Sequence, residues 1–205
     1  MTGGHVDDLA ALHRLLSGLI DVPEDQWLQA SARFESRAFA VGEHLVRAGE
    51  PMPSFFFLAA GLVRFYYLTA EGKEANKAFH AESEFVGNFP SHAVNTPCRF
   101  FVQALEPTRA VLLPRAELVE LYGRHHAWER LGRLQAERVA ARKIEREAQL
   151  LLDSAQTRYE AFLHERPGLA KRLPQYHIAS FLGITDVALS RIRRRMREAA
   201  LNPGS

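Results

Sequence analysis

Residues 175–194 read QYHIASFLGITDVALSRIRR, and this stretch decides how the chain is interpreted. Two short helices that pack at a steep angle need a small residue where they approach and a tight turn between them. Ala179 is the small residue, and Gly183 follows four positions later, where a left-handed conformation costs glycine little. The stretch therefore predicts a helix-turn-helix. Its expected core positions are Ile178, Leu182, Ile184, Leu189 and Ile192.

The second helix of this unit is rich in arginine, and either Thr185 or Asp186 could cap it. Arginine can bond guanine through both arms and can also pair with phosphate. Residues near the start of a recognition helix meet base edges more often than those near its end. We therefore predict base contacts from Thr185, Asp186, Val187, Ser190 and Arg191, and mainly phosphate contacts from Arg193, Arg194, Arg195 and Arg197.

The distribution of charge supports a polyanion at one end of the chain. The 205 residues carry a net charge of +2, but residues 130–200 hold fifteen Lys and Arg against eight Asp and Glu, which is +7 and leaves −5 for the rest. The alternative, a charged helix that binds nothing, leaves both this asymmetry and the Ala–Gly spacing unexplained.

Bulk properties limit the compartment and the chemistry. The sequence has no apolar run long enough for a membrane span, and its first residues are acidic where a signal peptide would be basic. The single cysteine, Cys98, excludes an internal disulfide and any site built from cysteines alone. We expect a cytoplasmic protein without a metal site or a membrane association.

The regions before the helix-turn-helix differ in pattern. Residues 7–33 show helical spacing of leucines, whereas residues 38–114 hold short aromatic and β-branched runs punctuated by Gly and Pro. The second region predicts an antiparallel β-domain of about eight strands, with Glu71-Gly72-Lys73 as the tip of a hairpin. Asp153-Ser154 marks the start of a helix over residues 155–165.

A long helix is predicted between the β-domain and the helix-turn-helix, from about Trp128 to Leu152. At 1.5 Å per residue it would span roughly 37 Å, which is too long for so small a domain to cover. We expect its apolar stripe to meet a second copy of the chain, and the alternative is that it lies against its own β-domain. The stripe consists of Leu134, Ala141, Ile144, Ala148 and Leu151.

The whole layout resembles the Crp/Fnr family of bacterial transcription regulators. The resemblance covers nearly the entire chain and is most specific in LLLDSAQTRYEAFL at 150–163 and PQYHIASFLGITDVALSRIRRR at 174–195; FFFLAAGLVRFYY at 55–67 and Gly72-Lys73-Glu74 add weaker matches. It implies an α+β fold with an N-terminal jelly-roll-like β-roll in residues 1–123, a dimerisation helix in 124–152 and a DNA-binding domain in 153–205. It also implies a homodimer on a palindromic site in double-stranded DNA, with RNA polymerase as a candidate further partner.

The effector pocket departs from the family pattern. Members that bind a cyclic nucleotide usually carry Gly-Glu-Leu and, later, an Arg beside a small hydroxyl residue. This chain has Gly87-Asn88-Phe89, and then Cys98 at the expected Arg position with Arg99 displaced by one, which in a strand reverses its face. Phe100 and Phe101 follow where small residues would leave space. We expect no binding of cyclic AMP in the usual way, and aromatic side chains or another small effector in the cavity.

Two further departures concern the recognition helix and haem. The family's opening Arg-Glu is replaced by Asp186-Val187, so the DNA sequence read should differ, although Ser190-Arg191 matches. About eight residues follow Arg197, which predicts no full C-terminal wing. Haem sensing occurs in some relatives, but His80 and His92 stand singly, and a lone histidine is more often structural.

Two other functional classes compete with a DNA-binding regulator. The first is a small-ligand sensor module without a DNA role, which the displaced pocket residues disfavour. The second is an enzyme on a small β-barrel, such as a cupin-like metal oxygenase, whose metal needs two histidines two positions apart on a strand and a carboxylate. His-X-His does not occur in the sequence, and neither does G-x-S-x-G, so we assign no catalytic residues.

Overall fold

The chain folds into eight strands and eight helices over residues 2–87 and 97–201, which the computed structural model describes. The strands are β1 (Glu35–Phe39), β2 (His44–Val46), β3 (Ser54–Ala60), β4 (Leu62–Leu68), β5 (Glu74–Ala81), β6 (Phe85–Val86), β7 (Phe101–Ala104) and β8 (Thr108–Pro114). The helices are α1 (Thr2–Ser17), α2 (Glu24–Ser31), α3 (Arg115–Arg124), α4 (His126–Leu152), α5 (Ala155–Glu165), α6 (Pro167–Arg172), α7 (Gln175–Leu182) and α8 (Asp186–Leu201). The predicted α+β fold class is confirmed.

The strands form two four-stranded sheets, ordered β1-β8-β3-β6 and β2-β7-β4-β5. The paired strands for which a register is defined run antiparallel. Side chains alternate between the two faces of each strand, so each sheet directs one apolar face inward. Phe56 and Leu58 of the first sheet and Phe65 and Val102 of the second belong to one buried cluster. The predicted β-roll is therefore present.

A second apolar cluster lies on the outside of the first sheet. Leu12 and Leu16 of α1, Trp27 of α2 and Trp128 of α4 are buried there together with Phe57 of β3. A helix with an apolar stripe is stabilised when it covers such a face. The amino-terminal helices and the first turns of α4 thus complete the core of the β-domain.

The chain divides into two compact units. One comprises Met1–Tyr67 and Ala78–Ala141, and the other comprises Leu68–Lys77 and Arg142–Ser205. The tip of the β4–β5 hairpin, which was correctly predicted at 71–73, therefore belongs with the helical unit. A sequence pattern does not reveal that association, because Asn76 in the hairpin and His177 in α7 are 101 positions apart.

The helical unit follows the predicted order of elements. The Ser154 side chain accepts a hydrogen bond from the Thr157 amide and so caps α5. Helix α7 ends at Leu182, Gly183 adopts φ +73°, and α8 begins at Asp186. The predicted helix-turn-helix is confirmed. Ile178, Ala179, Leu182, Leu189 and Ile192 are buried, whereas Ile184, also expected in the core, is only half-buried.

Candidate nucleic-acid interface

The turn between α7 and α8 is fixed by backbone hydrogen bonds. The Ile184 amide donates to the Ala179 carbonyl at 3.1 Å, and the Gly183 amide donates to the Ser180 carbonyl at 3.2 Å. This double closure is a Schellman motif, which requires a left-handed residue where Gly183 stands. A residue with a Cβ would be strained there, so glycine sets the angle between the helices.

Thr185 is the residue that caps α8. Its Oγ1 accepts a hydrogen bond from the Ala188 amide at 3.2 Å, and its carbonyl accepts one from the Leu189 amide. Asp186 occupies the first turn instead, where its carboxylate faces the positive end of the helix dipole. Of the two capping candidates the threonine takes the role, and a hydroxyl so engaged has less capacity left for a base.

All nine residues predicted to contact DNA are exposed. At 100° per residue, Leu189 and Ile192 mark the buried face of α8, and the opposite face is centred on Val187, Ser190 and Arg194. Arg191 lies on the same open face, whereas Arg193 and Arg195 lie on its two flanks. Arg194, for which the sequence predicts mainly phosphate contacts, therefore shares a face with the residues predicted to contact bases.

A glutamine that sequence reasoning missed links the two helices. Gln175, the first residue of α7, accepts a hydrogen bond from Arg193 Nη1 at 2.7 Å and donates from Nε2 to the Asp186 carbonyl at 3.3 Å. One side chain thus holds the start of α8 and one of its flanking arginines. A glutamine preceding the first core residue of a helix carries no distinctive sequence signal, which is why the pattern did not reveal it.

The remaining arginines of α8 have few intramolecular partners. Arg194 Nε lies 3.6 Å from Glu198 Oε1, a separation at which an exposed pair contributes little. Among the described residues, Arg191, Arg195 and Arg197 form no ion pair. A row of exposed guanidinium groups presented by one helix fits an anionic surface.

Helix α7 is also held by contacts with the tip of the β4–β5 hairpin, which belongs to the same unit. The Asn76 amide nitrogen lies 3.1 Å from the His177 carbonyl and 3.1 Å from its Nδ1. The Asn76 backbone amide donates to Ser180 Oγ at 3.0 Å. Asn76 and His177 are both buried. These contacts hold the first helix of the helix-turn-helix against the tip of the β4–β5 hairpin.

In the β-domain, the residues expected at an effector pocket alternate in direction. Cys98 and Phe100 are buried in the interior cluster, whereas Arg99 between them is exposed. The ring centroids of Phe100 and Phe65 are 5.2 Å apart, so aromatic packing occupies this part of the interior. The expectation for Phe101 was wrong: its side chain turns to the other face and stacks on Tyr66 at 4.9 Å.

Gly87 is explained by packing. A Cβ placed on it would lie 2.0 Å from Cδ1 of Phe55, so a larger residue could not fit without displacing that ring. Its neighbours Asn88 and Phe89 lie outside the described residues, as does His92. The glycine that matches the first position of the family's Gly-Glu-Leu pattern therefore has a packing role here.

His80 is engaged within the β-domain. Its Nδ1 lies 2.6 Å from Glu84 Oε2, and its ring centroid is 5.1 Å from that of Phe65. Over residues 2–87 and 97–201, no cluster of three or more His, Cys, Asp or Glu is arranged to hold a metal ion. His80 thus contacts Glu84 through Nδ1 and Phe65 through its ring.

The apolar stripe of α4 changes character along the helix. Leu134 packs against the core of its own β-domain. Farther along, Ile144 is 69% exposed and Leu151 is 75% exposed. Ala141 is exposed and Ala148 half-buried. The first part of the helix therefore follows the alternative of packing on its own domain, and the second part presents apolar side chains to solvent.

None of the described helices is both long and apolar enough to cross a bilayer.

Comparison with known proteins agrees with this arrangement. The family model for the cyclic nucleotide-binding domain matches residues 36–125. The transcriptional activator protein anr of Pseudomonas aeruginosa is 27% identical over 184 residues, which cover 80% of this chain and 71% of the relative. The fumarate and nitrate reduction regulatory protein of Vibrio cholerae is 26% identical over 175 residues, covering 78% and 68%. The structure of FixK2 from Bradyrhizobium japonicum superposes with a TM-score of 0.73 at 20% identity, covering 82% of this chain and 86% of that one.

Proposed function

The chain belongs to the Crp/Fnr family of transcription regulators, and from this premise we propose that it binds a palindromic operator in double-stranded DNA as a homodimer in the cytoplasm. The observation that carries the proposal is α8: its core face is buried, and its opposite face presents Ser190, Arg191 and Arg194 to solvent. An arginine-rich helix exposed in this way fits the major groove.

The residues of α8 divide into two roles. Val187, Ser190 and Arg191 lie early on the open face, where a recognition helix reaches base edges. Arg193, Arg195 and Arg197 lie on the flanks or near the end, where the phosphate backbones pass. Arg194 is shared between these roles, because it follows Arg191 by about one helical turn on the same face. Asp186 and Val187 in place of a basic opening should give a distinct operator sequence.

Dimerisation is proposed through the second part of α4. Ile144 and Leu151 are seven residues apart and more than two-thirds exposed, and Ala148 lies between them. Apolar residues at a seven-residue spacing pack stably in a paired helix. A dimer formed there would present two recognition helices about 34 Å apart, one turn of DNA. Control of transcription would then follow from contact with RNA polymerase or from occlusion of a promoter.

We further propose that the β-domain does not bind a cyclic nucleotide in the family manner. The interior is lined by Phe65, Cys98 and Phe100, whereas Arg99 is directed outward. An anionic phosphate buried among these apolar side chains, with Arg99 directed away from them, would be strongly disfavoured. Titration calorimetry with cyclic AMP and cyclic GMP should show no binding, and a dissociation constant below about 10 μM for either nucleotide would contradict this proposal.

The decisive experiment is selection of DNA from a random duplex library by the full-length protein. We expect an enriched palindrome, and an affinity that falls with salt at a slope of about −0.9 per phosphate contact. With three flanking arginines in each of two subunits, the slope should approach about −5. Enrichment of no sequence over random duplex would overturn the proposal.

A further inference from the structure

Helix α7 ends with four carbonyl groups that have no partner within the helix. Two of these, on Ala179 and Ser180, accept the backbone hydrogen bonds of the Schellman turn. The other two, on Phe181 and Leu182, accept from side chains outside the helix-turn-helix. The way in which they are satisfied links the helix-turn-helix to the rest of its unit.

Two arginines supply these last hydrogen bonds. Arg146 of α4 donates from Nη2 to the Phe181 carbonyl, and its guanidinium carbon lies 4.3 Å from the centroid of the Phe181 ring. Arg158 of α5 donates from Nε to the Leu182 carbonyl at 3.1 Å and from Nη1 to the Asp153 carbonyl at 2.6 Å. Both cations also face the negative end of the α7 dipole.

Arg146 occupies an energetically expensive position. Its guanidinium is partly removed from water and lies near the like charge of Arg158, and these two effects, in that order, lower the pKa of Arg146. Its buried Nη1 has no hydrogen-bond partner, and no carboxylate pairs with Arg146 among the described residues. A partly buried cation without a carboxylate partner is not expected to increase the stability of the folded chain.

We propose that Arg146 is a positioning residue for DNA recognition, which fixes the helix-turn-helix relative to the end of the dimerisation helix. The guanidinium is bound at once by a carbonyl and by the ring of the same residue, Phe181, so it restricts both the distance and the rotation of α7. Arg158 holds the neighbouring carbonyl from α5, and three helices therefore converge on the C-terminus of α7.

This inference rests on the proposed function. Only in a dimer does the orientation of the helix-turn-helix relative to α4 determine the separation of the two recognition helices. Each subunit would read its half-site through α8, to which Arg146 forms no hydrogen bond among the described residues. Loss of Arg146 should therefore leave recognition of a half-site intact and relax the spacing that the dimer demands between two half-sites.

The test compares the full-length protein with Arg146→Met on duplexes built from the selected palindrome. The separation of the half-sites is varied by one and two base pairs in each direction, and a duplex with a single half-site is included. We expect the preference of the variant for the selected spacing to fall by about tenfold, the scale of one charge-assisted hydrogen bond. Affinity for the single half-site should stay within about twofold of the wild-type value.

Two further variants separate positioning from charge. Lys143→Met removes the same charge from the exposed surface of α4 and should leave the spacing preference unchanged. Arg146→Lys keeps the charge and a donor but loses the planar group that lies over Phe181, and should restore part of the preference. An unchanged preference in Arg146→Met, or equal losses on the half-site and the palindrome, would overturn the inference.

A measurement without DNA makes the inference independent of the selected operator. Spin labels are attached to cysteines introduced at Lys143 and Glu198 in a Cys98→Ser background, and the labelled chain is diluted with unlabelled protein. The distance distribution between the labels should broaden in Arg146→Met, and an unchanged width would refute the positioning role. A library that yields no palindrome would instead refute the proposed function.

Discussion

At the scale of one residue, the predicted base contact of Arg191 can be tested most directly. It lies on the open face of α8, about one turn before Arg194, without an ion pair among the described residues. Arg191→Ala should weaken binding to the selected operator by about 1–3 kcal/mol and relax discrimination at one base pair of each half-site. Fluorescence anisotropy with single-substitution operators measures both effects.

Arg195→Ala is the matched control for that experiment. Arg195 lies on the flank of α8 and should contact phosphate, so its loss should weaken all operator variants alike and reduce the salt slope by about one per subunit. If Arg195→Ala altered base discrimination and Arg191→Ala did not, the assignment of the two faces would be reversed.

Gly87 separates packing from ligand binding. Because a Cβ there would lie 2.0 Å from the Phe55 ring, Gly87→Ala should destabilise the protein by about 1–3 kcal/mol in the absence of any ligand. A Cβ placed on Gly168 in α6 would meet open space, and the backbone there is not left-handed. Gly168→Ala should therefore leave the stability unchanged or raise it slightly. Urea denaturation compares them; equal midpoints would contradict the packing role.

For single residues, the sequence predicts which way a side chain points better than it predicts what that side chain contacts. Strand alternation predicts opposite orientations for Cys98 and Arg99, and Cys98 is buried while Arg99 is exposed, although both precede β7, which begins at Phe101. The same rule applied to Phe100 and Phe101 would have placed only one of them inside. Gln175 could not be found from sequence, because its role depends on the distance from Arg193, eighteen positions away.

The contact between the hairpin tip and α7 can be tested at the scale of the element. Asn76→Ala removes the amide that lies 3.1 Å from the His177 carbonyl, which should lower the local opening free energy of α7 by about 1–3 kcal/mol. Hydrogen exchange in residues 175–182 should then accelerate by roughly tenfold or more. Lys73→Ala, exposed on the same hairpin, should leave this exchange unchanged. Faster exchange confined to the hairpin would show that Asn76 does not hold α7.

Elements with local determinants were predicted well. The helix-turn-helix is specified within twenty residues by a small residue, a glycine and spaced apolar positions, and the Ser154 cap by a short polar signal. The hairpin–helix contact and the hydrogen bonds of Arg146 and Arg158 to the end of α7 join elements that are distant in sequence. The Gln175 bridge lies within the helix-turn-helix but depends on how α7 packs against α8. Each of these contacts depends on tertiary geometry, which the spacing of residues along the sequence does not reveal.

At the scale of the whole molecule, the same limit explains α4. The heptad spacing predicted one continuous stripe, yet Leu134 is drawn into the core of its own domain while Ile144 and Leu151 remain exposed. Spacing shows that residues share a face, but which surface covers that face depends on what lies beside each turn. Only the second part of the stripe is left to meet another chain.

Ile144→Asp tests that division. Because Ile144 is 69% exposed, the substitution should change the stability of the isolated chain by no more than about 0.5 kcal/mol. In a paired helix the carboxylate would be buried against apolar neighbours, and the dimer dissociation constant should rise by about a hundredfold or more. Sedimentation velocity over a concentration series measures this shift. Lys143→Asp introduces the same carboxylate about 100° around α4 and should leave the dimer intact. A dimer that resisted Ile144→Asp would have to form elsewhere, and the spacing of the two recognition helices would then be set by a different axis.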